Sequence, residues 1–129
     1  MWMMISNAFI SIVAKDCPKD HLLVRARRPG DLEKVFGRRI KVTRSTDSDY
    51  LFRARISRED VAAAMCREVA KIAYPNFKSS VADLDLHDAY LQVWSAMAAL
   101  QNSPPYSDRN PVTLGRPRRR GTAAPQRVL

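Results

Sequence analysis

Two nearly identical tetrapeptides constrain the possible folds of this chain more than any other feature. VRAR occupies residues 24–27, and FRAR follows 28 positions later at residues 52–55. In both, apolar and basic residues alternate, as they do in a strand with one buried and one solvated face. Each is followed by an acidic, helix-like segment, RPGDLEKVF and then ISREDVAAAM. The pattern predicts a repeated unit in which a strand leads into a helix.

The segments that precede the tetrapeptides complete the repeated unit. ISNAFISIVA (5–14) predicts a strand, and the turn KDCPKD separates it from the strand HLLVRAR. RRIKVTR (38–44) and YLFRARI (50–56) predict a second pair around the turn STDSD. The order ββα–ββα predicts an α+β two-layer sandwich, a four-stranded antiparallel sheet with helices on one face. Moving the first strand to the end gives the ferredoxin-like order βαββαβ, so a permuted ferredoxin-like topology and a simple duplication both stay open.

Local signals predict where the helices begin and end. A short helix after Pro29-Gly30 stops at Gly37, and Ser57 begins the next helix, over 58–73, as a capping residue. That second helix carries an apolar stripe of Val61, Met65, Val69 and Ile72. The segment YPNFKSSV interrupts it, either as a packed connection anchored by Phe77 or as a contact loop. An extra C-terminal helix then starts at 79 or 87 and ends at 101, with an apolar stripe of Leu86, Tyr90, Val93, Trp94, Met97 and Leu100.

Charge is distributed unevenly along the chain. The net charge is +9 and the isoelectric point is about 10.2. Residues 102–129 hold six arginines and one acid, with no hydrophobic periodicity. We therefore predict a single α+β domain over 1–101 and a disordered basic tail over 102–129. The basic balance favours a polyanionic partner, either nucleic acid or an acidic protein.

Cysteine usage and hydropathy indicate the compartment. Cys17 and Cys66 form neither a CxxC pair nor a disulfide framework, which is typical of a reducing environment. The N-terminal stretch lacks the basic region and cleavage site of a signal peptide. No apolar run reaches the roughly 18 residues of a transmembrane helix. We expect a cytoplasmic protein without a membrane partner, and the sequence leaves its oligomeric state open.

The repeated tetrapeptides also suggest a binding surface. Strand alternation places four arginines on the sheet face opposite the helices: Arg25, Arg27, Arg53 and Arg55. Phe9 is in phase with them. Arginines that contact phosphates and rings that stack on bases are typical of single-strand nucleic-acid binding. In the tail, the run RPRRRG adds three candidate phosphate contacts: Arg118, Arg119 and Arg120.

The alternative is an ordinary solvated sheet face, on which arginine is tolerated because of its long aliphatic stem. Like charges on neighbouring strands are unfavourable unless acids intervene. Asp16, Asp47 and Asp49 are available for that role.

Catalytic and metal-binding patterns are weak. Asp83 and His87 would share a helix face, but two ligands rarely hold a metal, and Asp85 or Asp88 would cap the helix. Cys66 falls near an apolar stripe, where a thiol is ordinarily an inert core residue. There is neither a nucleophile elbow nor a phosphate-cradling glycine loop. We predict a non-catalytic binding protein with no cofactor, metal or catalytic residue. An enzyme that clamps a phosphate-bearing substrate with arginines is the alternative.

Five segments carry a resemblance: MWMMISNAFISIV, LLVRAR, DYLFRARI, YPNFKSSV and YLQVWSAM. Together they resemble a family of small bacterial proteins, some from phages and plasmids, that begin M-W-x-S-N-x-F-x-S-I-V. This chain departs from that start in having Met3 and Met4 before Ile5. The resemblance implies that residues 1–101 are the complete unit, and it favours an accessory protein of a mobile element. It supplies no activity and no catalytic residues.

Overall fold

The computed structural model describes residues 1–101, which form strands and helices in the predicted general order. The strands are β1 (Trp2–Ile5), β2 (Ala8–Val13), β3 (His21–Ala26), β4 (Thr43–Arg44) and β5 (Phe52–Ser57). The helices are α1 (Asp31–Phe36), α2 (Arg58–Ala70) and α3 (Leu84–Ala98), with a 3-10 turn at Lys78–Ser80. One antiparallel sheet has the order β1-β2-β3-β5-β4. The predicted α+β class is confirmed, and the predicted tail, 102–129, lies outside the described residues.

The main core lies between the sheet and the helices α1 and α2. It is built from alternate strand positions together with the apolar sides of both helices: Ala8, Ile10, Ile12, Val24, Ala26, Leu32, Val35, Ala54, Ile56, Val61 and Ala64. The prediction that the alanines of the two repeated tetrapeptides face the helices is confirmed, because Ala26 and Ala54 are both buried in this cluster. Burial of this apolar area is the main favourable contribution to the stability of the two layers.

The sheet has five strands, so the predicted count of four was wrong. The stretch 5–14 is divided by a turn at Ser6 and Asn7, and the residues before that turn form the edge strand β1. Its apolar residues pair with β2 from Trp2 opposite Ser11 to Ile5 opposite Ala8. A two-residue polar turn between apolar runs is a hairpin signal that the prediction overlooked. The predicted strand 38–44 is shorter as well, and only Thr43 and Arg44 pair with β5.

Local capping signals determined the first two helices. α1 follows Gly30 and ends at Gly37, and both glycines have positive φ angles, of 82° and 87°. Ser57 Oγ accepts a hydrogen bond from the Asp60 backbone N–H at 3.1 Å, which confirms the predicted cap of α2. The predicted apolar stripe of α2 is buried only at its start, because Val69 is exposed and Ile72 follows the end of the helix.

α3 lies on the opposite face of the sheet from α1 and α2. Leu86 and Tyr90 pack against Met4 and Phe9, which oppose each other in the β1–β2 register on that face. The Tyr90 hydroxyl lies 2.7 Å from the carbonyl oxygen of Ala8, and burial raises the pKa of this phenol. The prediction that the helices of the two repeated units cover one face therefore holds for α1 and α2, and the extra helix α3, to which the prediction assigned no face, covers part of the other face.

The connection before α3 has the packed form that was one of the two predicted alternatives. The Phe77 ring stacks on Tyr90 with 5.5 Å between ring centroids, and Asn76 Oδ1 accepts from the Ser79 backbone N–H. Asp83 caps α3 by accepting from the Leu86 N–H at 2.9 Å, so the expectation that Asp85 or Asp88 would do so was wrong. Within residues 1–101, no helix is long and apolar enough to cross a membrane.

Candidate nucleic-acid interface

The sheet face opposite α1 and α2, here called the far face, carries Arg25, Arg53 and Arg55 on its strands. Arg27, predicted on the same strand as Arg25, lies one residue beyond the end of β3, with its guanidinium against Phe9 and Tyr50. The register aligns Ser11, Arg25 and Arg53 in one row across β2, β3 and β5. Arg55 lies opposite Leu23 in the next row on this face. Two arginines directly opposite each other repel, and such a pair is unfavourable in a sheet without compensation. The far face is therefore a concentrated region of positive charge.

No acid neutralises this charge within the described part of the chain. None of the four far-face arginines has a carboxylate oxygen within 4.0 Å among residues 1–101. Arg55 Nε donates to the backbone oxygen of Asp16, not to its carboxylate. Asp47 and Asp49, which the sequence offered as neutralising partners, place no carboxylate against these guanidiniums either. The excess charge of the far face is left for solvent or a ligand to balance.

Tyr50 contacts three of the four arginines. Its ring is only 2% exposed, and the guanidinium carbons of Arg25 and Arg27 lie 4.5 Å and 4.3 Å from its centroid. Arg53 Nε donates to the Tyr50 carbonyl oxygen at 3.3 Å. Cation–π contacts of this kind hold a guanidinium in place without neutralising it. The sequence favoured Tyr50 as the start of a strand over a phenol near a cleft. Its contacts with Arg25 and Arg27 arise because β5, which follows Tyr50, pairs with β3.

Arg25 is the most constrained of the four arginines. Its Nη2 donates to Ser11 Oγ at 2.8 Å. Its Nε is buried and, within residues 1–101, has no hydrogen-bond acceptor. Buried donors are ordinarily paired, so an unpaired one raises the free energy of the folded state.

Aromatic rings border the arginine row. Trp2 is 73% exposed and lies opposite Ser11 in the register, and its ring meets the edge of Phe9 at 6.1 Å between centroids. The Arg27 guanidinium lies 6.0 Å from the centroid of Phe9 on that ring's face. The strand alternation predicted Phe9 on this face but gave no sign of Trp2, because β1 was not predicted as a strand. The far face thus combines two exposed arginines, Arg27 and Arg55, and two half-buried ones with an exposed indole.

A groove of about 270 Å³ opens beside the contact between α3 and the far face. Apolar side chains from both layers form most of its wall: Met4, Phe9, Leu86, Ala89, Tyr90 and Val93. Four charged residues complete the lining: Arg27, Arg28, Asp31 and Asp85. Arg28 is paired with Asp83 at 3.0 Å and with Asp31 at 3.5 Å. Of the two arginines in the groove, only Arg27 has no carboxylate against it in the described residues.

The remaining groups that the sequence offered as metal ligands or nucleophiles form no site together, and some of them stabilise the fold. The Asp83 carboxylate caps α3 and pairs with Arg28. The hydrogen bond from the Leu86 N–H and, to a smaller extent, the Arg28 guanidinium lower the pKa of this carboxyl. His87 Nδ1 lies 3.7 Å from an oxygen of Asp88. Residues 1–101 contain no group of three or more side chains placed to hold a metal. Cys66 is exposed, so its expected place in the core was wrong. The tail candidates Arg118, Arg119 and Arg120 lie outside the described residues.

Comparisons with known proteins assign no function to this site. No protein-family model, no curated protein and no solved structure matches the chain. The resemblance to small bacterial phage and plasmid proteins consequently stays a prediction.

Proposed function

We propose that this protein is a non-catalytic binding protein that holds nucleic acid on its far face. The observation that carries the proposal is the group of four guanidiniums on one sheet face, none with a carboxylate within 4.0 Å in residues 1–101. A phosphate backbone is a regular array of negative charges that a row of arginines can neutralise. Binding would relieve the repulsion between Arg25 and Arg53.

Arginine chemistry favours phosphate as the anion. The guanidinium is planar, always charged and able to donate two parallel hydrogen bonds to one phosphate group. The ring of Tyr50 holds the guanidiniums of Arg25 and Arg27 in position. Side chains that are ordered before binding lose less conformational entropy when the ligand arrives.

The rings beside the arginines support nucleic acid over a simple polyanion. Exposed aromatic side chains stack on bases, and this stacking tolerates different base sequences. Trp2 is largely exposed and lies next to the arginine row. A nucleic-acid strand would therefore be held by phosphate contacts and by stacking, without a fixed sequence preference.

The strand order supports a circularly permuted ferredoxin-like fold as the finer topology. Strands β2-β3-β5-β4 are neighbours, with α1 after β3 and α2 after β5. Moving β2 behind α2 turns this arrangement into the order βαββαβ. Both of those helices pack on one face, which leaves the opposite face free for a ligand except where α3 crosses it.

The test is a fluorescence-anisotropy titration of the full chain with labelled single strands at several salt concentrations. The site variant is Arg53→Gln/Arg55→Gln, and the control is Arg38→Gln/Arg67→Gln, which removes the same charge from two exposed arginines that are not on the sheet, one after α1 and one on α2. Each phosphate contact that is lost should lower the slope of log K against log salt by roughly 0.7. The site variant should bind more weakly with a smaller slope, and the control should bind like the wild type.

Two further outcomes have distinct meanings. If Arg118→Gln/Arg119→Gln/Arg120→Gln abolishes binding while the sheet variant keeps it, the tail is the binding element and the far-face proposal is wrong. If the wild type binds no oligonucleotide, the proposal also fails. An acidic protein surface would then become the first partner to test, since the same guanidiniums would recognise its carboxylates.

A further inference from the structure

The groove between α3 and the far face adds an apolar compartment beside the arginines. Its floor and walls come from Phe9 on the sheet and from Leu86, Ala89 and Val93 on α3. At about 270 Å³ it is smaller than the roughly 300–1,000 Å³ of sites for drug-sized ligands. It suits one flat ring system and not a folded chain segment.

Charge at the groove orients any ligand that enters it. Arg27 stands at the groove with its guanidinium near both Tyr50 and Phe9, and no carboxylate of residues 1–101 lies within 4.0 Å of it. Asp85 lines the same groove and repels an anion. The negative group of a ligand is therefore drawn to the side of Arg27, while the apolar walls take its uncharged ring.

From this juxtaposition we infer that the groove holds one unstacked base of a single strand whose phosphates lie on the far-face arginines. The inference rests on the proposed function and makes it more specific. A ring between apolar walls gains stacking and burial, and the adjacent phosphate meets Arg27. In a duplex the bases are paired and stacked, so a duplex reaches the arginines but not the groove.

A groove-filling variant tests this inference on the full chain. Ala89→Leu adds three carbons inside the groove, and leucine offers no aromatic face that could stack on a base. Ala96→Leu is the matched control, since Ala96 is exposed on the same helix and does not line the groove. The probes are a labelled single strand, a labelled duplex and an abasic single strand that has the phosphates without the bases.

Wild-type protein should bind the normal single strand more tightly than the duplex and the abasic strand. Ala89→Leu should weaken binding of the normal single strand by about fivefold or more, because stacking one base typically contributes at least that much. It should leave duplex and abasic binding unchanged, and Ala96→Leu should behave like the wild type.

The failure of this inference differs from the failure of the proposed function. If the wild type binds oligonucleotides but Ala89→Leu leaves single-strand affinity unchanged, or lowers affinity for all three probes equally, the base is not in the groove. In that case the arginine face still stands as the binding surface. If the wild type binds none of the probes, the proposed function itself is wrong.

Discussion

Replacing Tyr50 tests whether its ring holds the arginine face together. Tyr50→Leu keeps an apolar side chain but removes the π face beneath Arg25 and Arg27, whereas Tyr50→Phe keeps that face. The ring is 2% exposed, and its two cation contacts lie at 4.5 Å and 4.3 Å. The structure therefore predicts a clear difference in the free energy of unfolding between the two variants.

The magnitude follows from the surroundings of each contact. Arg25 is partly buried and Arg27 is exposed. A desolvated cation–π contact contributes about 2 kcal/mol, and an exposed one contributes about 0.5–1 kcal/mol. Tyr50→Leu should thus lower the unfolding free energy by about 2–3 kcal/mol more than Tyr50→Phe does, before any effect of altered packing.

The assay is urea unfolding followed by far-UV circular dichroism, repeated in an Arg25→Met/Arg27→Met background. In that background most of the difference between Tyr50→Leu and Tyr50→Phe should vanish, because the cations are gone. The reasoning is refuted if Tyr50→Leu is as stable as Tyr50→Phe. It is also refuted if their difference is the same with and without the two arginines, since the ring would then act through packing alone.

Two local features give further predictions. Ser57→Ala should lower the unfolding free energy by about 1 kcal/mol, because it removes the acceptor for the Asp60 N–H, and Ser57→Asp should restore it; equal stability of all three proteins in urea would contradict this. The Leu86 N–H and Arg28 lower the pKa of Asp83 from its ordinary value of 3.8. The ionised carboxylate therefore stabilises the fold fully at pH values above 3.8, and this stabilisation is lost as the pH falls through the folded-state pKa. Asp83→Asn should accordingly be less stable than the wild type at neutral pH, and its unfolding free energy should approach that of the wild type in acid. The measurement is urea unfolding of both proteins from neutral to strongly acidic pH. A difference in unfolding free energy that stays constant over this range would show that the charge is not responsible.

Short-range patterns predicted the parts of this fold that depend on neighbours in sequence. The alternation around Arg25 and Arg53 correctly predicted which strand residues face the helices, because side chains on a strand change face at every residue. Gly37 and Ser57 marked helix boundaries for the same reason, since caps involve residues only a few positions apart. The unpredicted turn at Ser6 and Asn7 is local as well, because a two-residue polar turn between apolar runs is a short-range hairpin signal.

The candidate site was predictable only in part. The four strand arginines could be placed on one face from their spacing, but their surroundings could not. Tyr50 meets Arg25 and Arg27 only because β5 pairs with β3, and Trp2 borders the row only because β1 pairs with β2. Neither contact leaves a periodic signal, because each joins residues that the chain path alone does not bring together.

The helix α3 illustrates which features the sequence determined and which features only the tertiary structure decided. Its apolar periodicity predicted a helix, because a 3.6-residue repeat depends only on spacing along the chain. That repeat is the same whichever surface the helix packs against, so it carried no information on the face that α3 would cover. The face was decided by contacts between distant residues, such as Tyr90 with the carbonyl of Ala8, where burial and hydrogen bonding favour one docking position. The alternating arginines were thus a property of the sequence, while the groove beside them exists only because α3 lies across the far face.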